Sequence, residues 1–263
     1  MAAEGIPAAR MSDQLLTERR RRALVITINR PDVRNAINRA VSFGLAAAVQ
    51  ELDDDPALSV AVLTGAGGSF CAGMDLKAFL AGEDMLVPGR GLGFTERPPR
   101  KPIISAVEGF ALAGGTELAL ATDLIVASSE ARFGLPEVKR GLVAGGGGLI
   151  RLPQRIPYQK AMELALTGDS LTAEEGLALG LVNRVTEPGS ALAGALALAE
   201  QIAANGPLAV AATKQIVASA RDWRAEDAFA RQGALLGPVF ASEDAREGAA
   251  AFAEKREPVW QGR

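Results

Sequence analysis

The sequence contains no histidine. That absence excludes every catalytic triad or dyad built on imidazole and every histidine-ligated metal, and it leaves acid–base work to carboxylates, lysine, tyrosine or the backbone. A single cysteine, Cys71, rules out an intrachain disulfide framework and is the usage of a reducing compartment. Uncharged apolar runs stop short of the roughly 18 to 20 residues that a membrane-crossing helix needs. No apolar signal-peptide core precedes the charged run Glu18 to Arg22. A formal charge of −3, with 22% charged and 48% apolar residues, supplies no field that would attract nucleic acid. The expectation is a cytoplasmic protein of small-molecule chemistry, with no nucleic-acid or membrane partner.

What is present reads as an α/β chain. Ala23 to Asn29, Ser59 to Thr64 and Ile103 to Val107 are short, strand-like apolar runs, and Asp123 to Ser128 returns to the same pattern. Asn35 to Asp53 places Ile37, Val41, Leu45, Ala48, Val49 and Leu52 at helical spacing. Arg19 to Arg22 read as solvated side chains on an edge strand. Strand, glycine-rich turn, helix and strand occur twice, which indicates repeated β-then-α units. Thr172-Ala-Glu-Glu175 is a capping box that starts a short helix ending at Gly180, followed by a strand over Leu181 to Val185. Ala191 to Asn205 is an Ala/Leu helix with Gly206-Pro207 as its stop, and Leu208 to Lys255 is helical in pattern. Three regions are expected: a mobile tail over 1–12, a core over 13–205 holding the site, and a C-terminal helical region over 206–263 whose apolar faces are too generous for a free monomer.

Two glycine-rich segments invite comparison with nucleotide sites. Gly65-Ala-Gly67-Gly68-Ser-Phe70 has Phe70 where a dinucleotide fingerprint requires its third glycine, and neither cluster continues into Gly-Lys-Ser/Thr. Cys71-Ala-Gly-Met-Asp-Leu-Lys77 closes an apolar strand and opens a helix, so its bare backbone can bring N–H groups close to an oxygen carrying negative charge. Cys71 itself, without a histidine partner, reads as packing. Glu117 falls one turn after Gly114, which sets a carboxylate beside a helix-start N–H; that pairing is a reaction geometry. Glu137, after Pro136, is a first-turn acid. The irregular stretch Ala78 to Arg100 is too long for an idle connection and reads as a long loop or broken helix near a site.

Phe70 to Lys77, Gly109-Phe-Ala-Leu-Ala-Gly-Gly-Thr-Glu-Leu118, Phe133-Gly-Leu-Pro-Glu137 and Phe252-Ala-Glu-Lys-Arg-Glu-Pro-Val259 together resemble the crotonase superfamily, the enoyl-CoA hydratases and isomerases. The resemblance runs from about Leu24 to the C-terminus. It implies a spiral of ββα units with a C-terminal helical region that supports a homotrimer or a homohexamer. It further implies an oxyanion hole from the N–H groups of Met74 and Gly114, and Glu117 and Glu137 as the two catalytic glutamates. Val33, Arg34, Ala72, Asp75, Leu76, Lys77 and Gly115 fall near the positions that contact substrate or coenzyme A. The implied reaction is hydration of a 2-trans-enoyl-CoA, with no metal and no cofactor beyond the coenzyme A of the substrate. A double-bond isomerase on the same fold and a non-catalytic acyl-CoA-binding protein remain open alternatives.

Overall fold

The computed structural model describes residues 12–263; the tail expected over 1–12 lies, apart from Ser12, outside the described residues. Strands Leu15–Arg20 (β1), Ala23–Ile28 (β2), Val60–Gly65 (β3), Ile103–Val107 (β4), Leu124–Ser128 (β6) and Arg184–Thr186 (β9) form one sheet in the order β1-β2-β3-β4-β6-β9. Phe110–Leu112 (β5), Arg132–Gly134 (β7) and Ser170–Thr172 (β8) form a small second sheet. In the large sheet β1 runs antiparallel to β2 and every other pairing is parallel.

Alternation across the strands feeds two cores. Leu24, Ile26, Ala61, Leu63, Ile103 and Ile125 belong to one buried cluster, and Ala23, Val60, Val62, Ile104 and Val126 to another. A parallel sheet buried on both faces is why these strands are apolar at nearly every position. Helix Arg39–Asp54 (α1) packs on the first face, and that cluster continues into Gly114–Ala121 (α3), a helix with all eight residues buried. Helix Ala191–Ala203 (α7) lays Ala191, Ala195 and Ala199 on the second face.

The repeated unit is a long strand, a short second-layer pairing, and a helix. β4, β5 and α3 follow that order, as do β6, β7 and the Pro136–Arg140 3-10 turn. After β2 and β3 no second-layer strand forms. The isolated bridges Ile37↔Met74 and Cys71↔Ala111 take its place, leading into α1 and into helix Leu76–Leu80 (α2). Helices Gly148–Arg155 (α4), Tyr158–Thr167 (α5) and Ala173–Ala178 (α6) complete this part, and Pro207–Ser219 (α8), Ala228–Phe240 (α9) and Glu243–Glu254 (α10) follow α7. No single helix among the described residues is long and apolar enough to cross a membrane; the α7 and 207–222 pair that passes on composition is bent by 109° at its break.

Some boundaries differ from the sequence expectation for local reasons. α1 begins at Arg39, not near 35, because Asn35 takes a left-handed backbone (φ 58°) and the Asn38 side chain caps the helix by accepting from the Val41 N–H at 3.1 Å. Leu181 and Val182 are not strand: both N–H groups turn back to the Gly176 carbonyl at 2.8 and 3.1 Å and close α6 through Gly180, so β9 starts at Arg184. Pro207 also does more than end α7, since it sits in the first turn of α8, where a missing N–H costs nothing. Arg19 to Arg22 lie at the end of edge strand β1 and in its turn, with Arg19 paired to Glu51 and Asp55.

Asn35, fully buried, ties the β2 exit to the β3 exit. Its Oδ1 accepts from the Arg30 N–H at 2.8 Å and its Nδ2 donates to the carbonyls of Ala66 at 2.8 Å and Ser69 at 2.6 Å. The Asn35→Ala variant leaves one buried and two part-buried backbone groups without these partners, so chemical denaturation is expected to report a loss of about 2 to 4 kcal/mol.

Candidate active site

The site begins where two chain segments lose their side chains and meet. Cys71 runs alongside β5, its N–H donating to the Phe110 carbonyl at 2.8 Å while the Leu112 N–H donates to the Cys71 carbonyl at 3.0 Å. At Gly73 (φ 102°) a Cβ would lie 2.6 Å from the Ala113 methyl and 3.4 Å from the Gly114 nitrogen, and at Gly115 it would overlap the Cys71 carbonyl oxygen. Only glycine allows this approach.

The hydrogen bonds on either side then isolate two donors. The Ile37 N–H donates to the Gly73 carbonyl at 2.7 Å and the Asp75 N–H to the Ile37 carbonyl at 2.8 Å, so Met74 is held between them while its own N–H has no acceptor among the described residues. Gly114 opens α3 and carries one of the helix's unpaired first-turn donors. It is presented by Ala113, whose φ of 51° and ψ of −124° are a conformation that non-glycine residues seldom adopt. Met74, Gly114, Glu117 and Glu137 all line one cavity of about 550 Å³, whose apolar wall includes Phe79, Met85, Leu86, Leu92, Leu142 and Val143. The Ala78 to Arg100 stretch thus does line the pocket, and it packs against α1 at Gly93, where a Cβ would come within 2.6 Å of the Leu45 Cβ.

The two carboxylates sit differently. Glu117 projects from the buried helix α3, and its Oε1 accepts from the N–H groups of Gly146 at 2.6 Å and Gly148 at 2.9 Å. Burial pushes its carboxyl above the ordinary value, opposed by those two N–H groups and by the charge of Arg151. Glu137 is on the 3-10 turn after Pro136, and its Oε2 is buried with no hydrogen-bond partner among the described residues. Burial raises its carboxyl as well, with the negative charge of Glu117 adding to the rise and its own N–H and Arg140 working against it. The Thr116 hydroxyl locks α3 to both short strands, donating to the Ala111 carbonyl at 2.6 Å and accepting from the Gly134 N–H at 2.9 Å.

Of the other residues singled out in the sequence, Arg34, Ala72 and Leu76 line the cavity. The Arg34 guanidinium stands over the Phe110 ring at 5.4 Å, and its carbonyl accepts from the Ala72 N–H at 3.0 Å. Val33 and Lys77 are exposed and are not part of the lining. Asp75 and Gly115 hold the loop in place. The Asp75 carboxylate pairs with Arg30 at 2.9 Å and caps α2 through the Lys77 and Ala78 N–H groups; burial alone would raise its carboxyl, but these partners hold it below its ordinary value. Cys71 is fully buried, and burial pushes its thiol up to about 12 despite the Gly73 N–H, in keeping with a packing role. Gly146 and Gly148, the donors that hold Glu117, carry no motif that marks them as such in the sequence. The available signal was the Gly145 to Gly148 run itself: a Cβ at Gly146 would lie 2.6 Å from Glu117 Oε2.

A family model described as enoyl-CoA hydratase/isomerase matches residues 18–263. Carnitinyl-CoA dehydratase of Salmonella arizonae is 45% identical over 261 residues, covering 96% of this chain and 100% of that protein. Enoyl-CoA hydratase EchA19 of Mycobacterium tuberculosis is 43% identical over 263 residues, covering 94% and 96% of the two chains. The crystal structure of enoyl-CoA hydratase EchA1 from Mycobacterium marinum superposes with a TM-score of 0.95 at 66% identity, over 96% of this chain and 100% of that one.

A carboxyl with a folded-state pKa above its unfolded value binds its proton more tightly when folded, so stability falls as pH rises from the unfolded value through the folded one. Glu137 is raised in this way. The Glu137→Gln variant, which does not titrate, is therefore expected to melt at a higher temperature than wild type near pH 7 and to lose that advantage near pH 4, as thermal unfolding across pH would report.

Proposed function

We propose that this chain, which belongs to the enoyl-CoA hydratase/isomerase family within the crotonase superfamily and is a hydro-lyase of acyl-CoA metabolism, adds water across a 2-trans-enoyl-CoA by way of Met74, Gly114, Glu117 and Glu137. The observation that carries this reading is the meeting, in one cavity, of two backbone N–H groups without acceptors among the described residues and two carboxylates whose burial raises both pKa values. The N–H groups of Met74 and Gly114 bind the thioester oxygen, making C3 electrophilic and stabilising the enolate that forms as water attacks. One such donor is worth about 3 to 4 kcal/mol in the transition state. Glu117 removes a proton from the water as its oxygen bonds to C3. Glu137 delivers a proton to C2, and proton exchange with solvent resets the pair. This chemistry requires no metal or redox cofactor, because the thioester of the substrate, polarised by the two backbone N–H groups, makes C3 electrophilic enough for water to attack.

Arg34, Ala72 and Leu76 contact the coenzyme A portion on this reading, Val33 and Lys77 lie at its exposed rim, and Asp75 and Gly115 keep the loop in register. The acyl chain lies against Phe79, Met85, Leu86 and Leu92. A second reading, dehydration of a 3-hydroxyacyl-CoA whose acyl end is cationic, draws on Glu83 and Asp84. Both line the cavity, and among the described residues their carboxylates accept only from the Arg39 and Leu86 N–H groups. It also draws on the 45% identical carnitinyl-CoA dehydratase. Comparing kcat/KM for crotonyl-CoA and carnitinyl-CoA separates the two.

Glu117→Gln and Glu137→Gln, assayed separately by loss of the conjugated enoyl thioester absorbance, are each expected to lower kcat by about 100- to 10,000-fold. Near-wild-type hydration by either variant overturns the two-carboxylate mechanism. In the wild type kcat falls at low pH as Glu117 protonates and at high pH as Glu137 ionises, a bell whose limbs belong to the coupled pair.

The same family reading includes a homotrimer or homohexamer acting in the cytoplasm. Helices α8 and α9 bury no residue in the isolated chain. Val217, Phe229, Phe240 and Phe252 are 71%, 85%, 75% and 88% exposed. Helices of this length hold little structure without a packed face, so further copies of the chain are the proposed cover. Sedimentation equilibrium is expected to give three or six times the chain mass, and a monomer overturns this assignment.

A further inference from the structure

Arg151 has no part in the reaction outlined above, yet it reaches both halves of the site. It lies on α4, half-buried, and its guanidinium folds back over the glycine segment so closely that any Cβ on Gly147 would strike Nη1. Its Nη2 donates to the Thr95 carbonyl. Thr95 in turn holds Leu92, accepting from the Leu92 N–H at 3.0 Å through Oγ1. Leu92 stands between the donors of the site, with Cδ1 2.9 Å from where a Cβ on Gly146 would be and 3.3 Å from one on Gly114. Among the described residues no carboxylate is ion-paired with Arg151, and the acid whose charge it feels is Glu117.

We infer that Arg151 is a positioning residue for Glu117: it clamps the segment whose Gly146 and Gly148 N–H groups hold Oε1, and it sets its charge toward that carboxylate. A cation half-buried without a paired acid is costly unless it answers a need nearby. The clamp and the charge act on the same group. Without the clamp the glycine segment swings away, and Glu117 loses the two N–H donors that fix its Oε1. Without the charge its ionised form, the base of the proposed reaction, is less favoured. The charged groups facing this centre are Arg151 from α4 and Glu137 from the 136–140 turn, with Arg155 facing Arg151 and Arg140 facing Glu137.

This assignment rests on the hydration reading, and one set of variants tests the two apart. Hydration kinetics are compared for Arg151→Met and Arg151→Lys, each alone and combined with Glu117→Gln. Arg151→Met is expected to lower kcat by about 10- to 100-fold, with KM changed by less than about threefold. In the Glu117→Gln background the same substitution is expected to change kcat by less than about twofold, because the group it serves is already gone. Equal losses in the two backgrounds overturn the proposal. Should Arg151→Met fail to fold, judged by circular dichroism, the cycle with Arg151→Lys decides: the lysine keeps the charge and loses the second donor, and its loss of kcat must likewise vanish with Glu117→Gln. An infrared titration needs no turnover. The carboxyl band that disappears in Glu117→Gln is expected to titrate at higher pH in Arg151→Met and at the wild-type pH in Arg151→Lys, and an unmoved midpoint in Arg151→Met overturns the charge role. A wild-type protein without hydration activity refutes the reaction proposed above and leaves the infrared comparison to decide Arg151.

Discussion

The closeness of two backbones governs this structure. The Cys71 to Met74 segment lies against Ala111 to Gly115 with side chains removed at Gly73, Gly114 and Gly115, and the ladder through Cys71 fixes its register. If that approach were widened by one methyl group, the Met74 and Gly114 N–H groups would no longer face one cavity. Much else in the fold secures it. Asn35 joins the two strand exits that lead to it, and the Arg30–Asp75 pair fastens the loop from the other side. The Thr116 hydroxyl anchors α3 to the second sheet. Local strain at Ala113 persists because these contacts determine the backbone around it.

The carboxylates add an electrostatic tension. Burying Glu117 in a helix with no exposed residue and leaving Glu137 Oε2 without a partner among the described residues both disfavour the charged forms, and the negative charge of Glu117 adds to the rise at Glu137. The site therefore lowers the stability of the folded chain at neutral pH while supplying the two acids to which the proposed reaction gives separate roles. That is the usual compromise between a stable core and a reactive one.

How much of this could be read beforehand depended on whether a residue's role is local. Strands β2, β3, β4 and β6 were legible because a parallel sheet buried on both faces needs unbroken apolar runs, and the capping box at Thr172 was legible because it is a contact between neighbours in sequence. Glu117 and Gly114 could be paired because both lie on one helix turn. The short strands β5, β7 and β8 were not legible, since three residues carry no period and their pairing is set by the layers around them. Gly146 and Gly148 escaped for the same reason: their partner is about thirty positions away in sequence, and a glycine run does not say what it approaches. The start of β9 was misplaced because Leu181 and Val182 are apolar enough for a strand, while their N–H groups were already committed to Gly176.

One consequence follows from donors that belong to the main chain. Met74 lines the cavity and, in the proposed reaction, its N–H serves the oxyanion hole, so position 74 can be exchanged without deleting the donor. The same holds for Phe79, Met85 and Leu86, which wall the cavity from α2 and the segment after it and carry no group of the proposed reaction. Chemistry and selectivity are thus written in separate parts of the chain. A lineage exploring new acyl groups can sample substitutions across the wall while the catalytic geometry is inherited intact, and this separability makes one scaffold a starting point for many substrates.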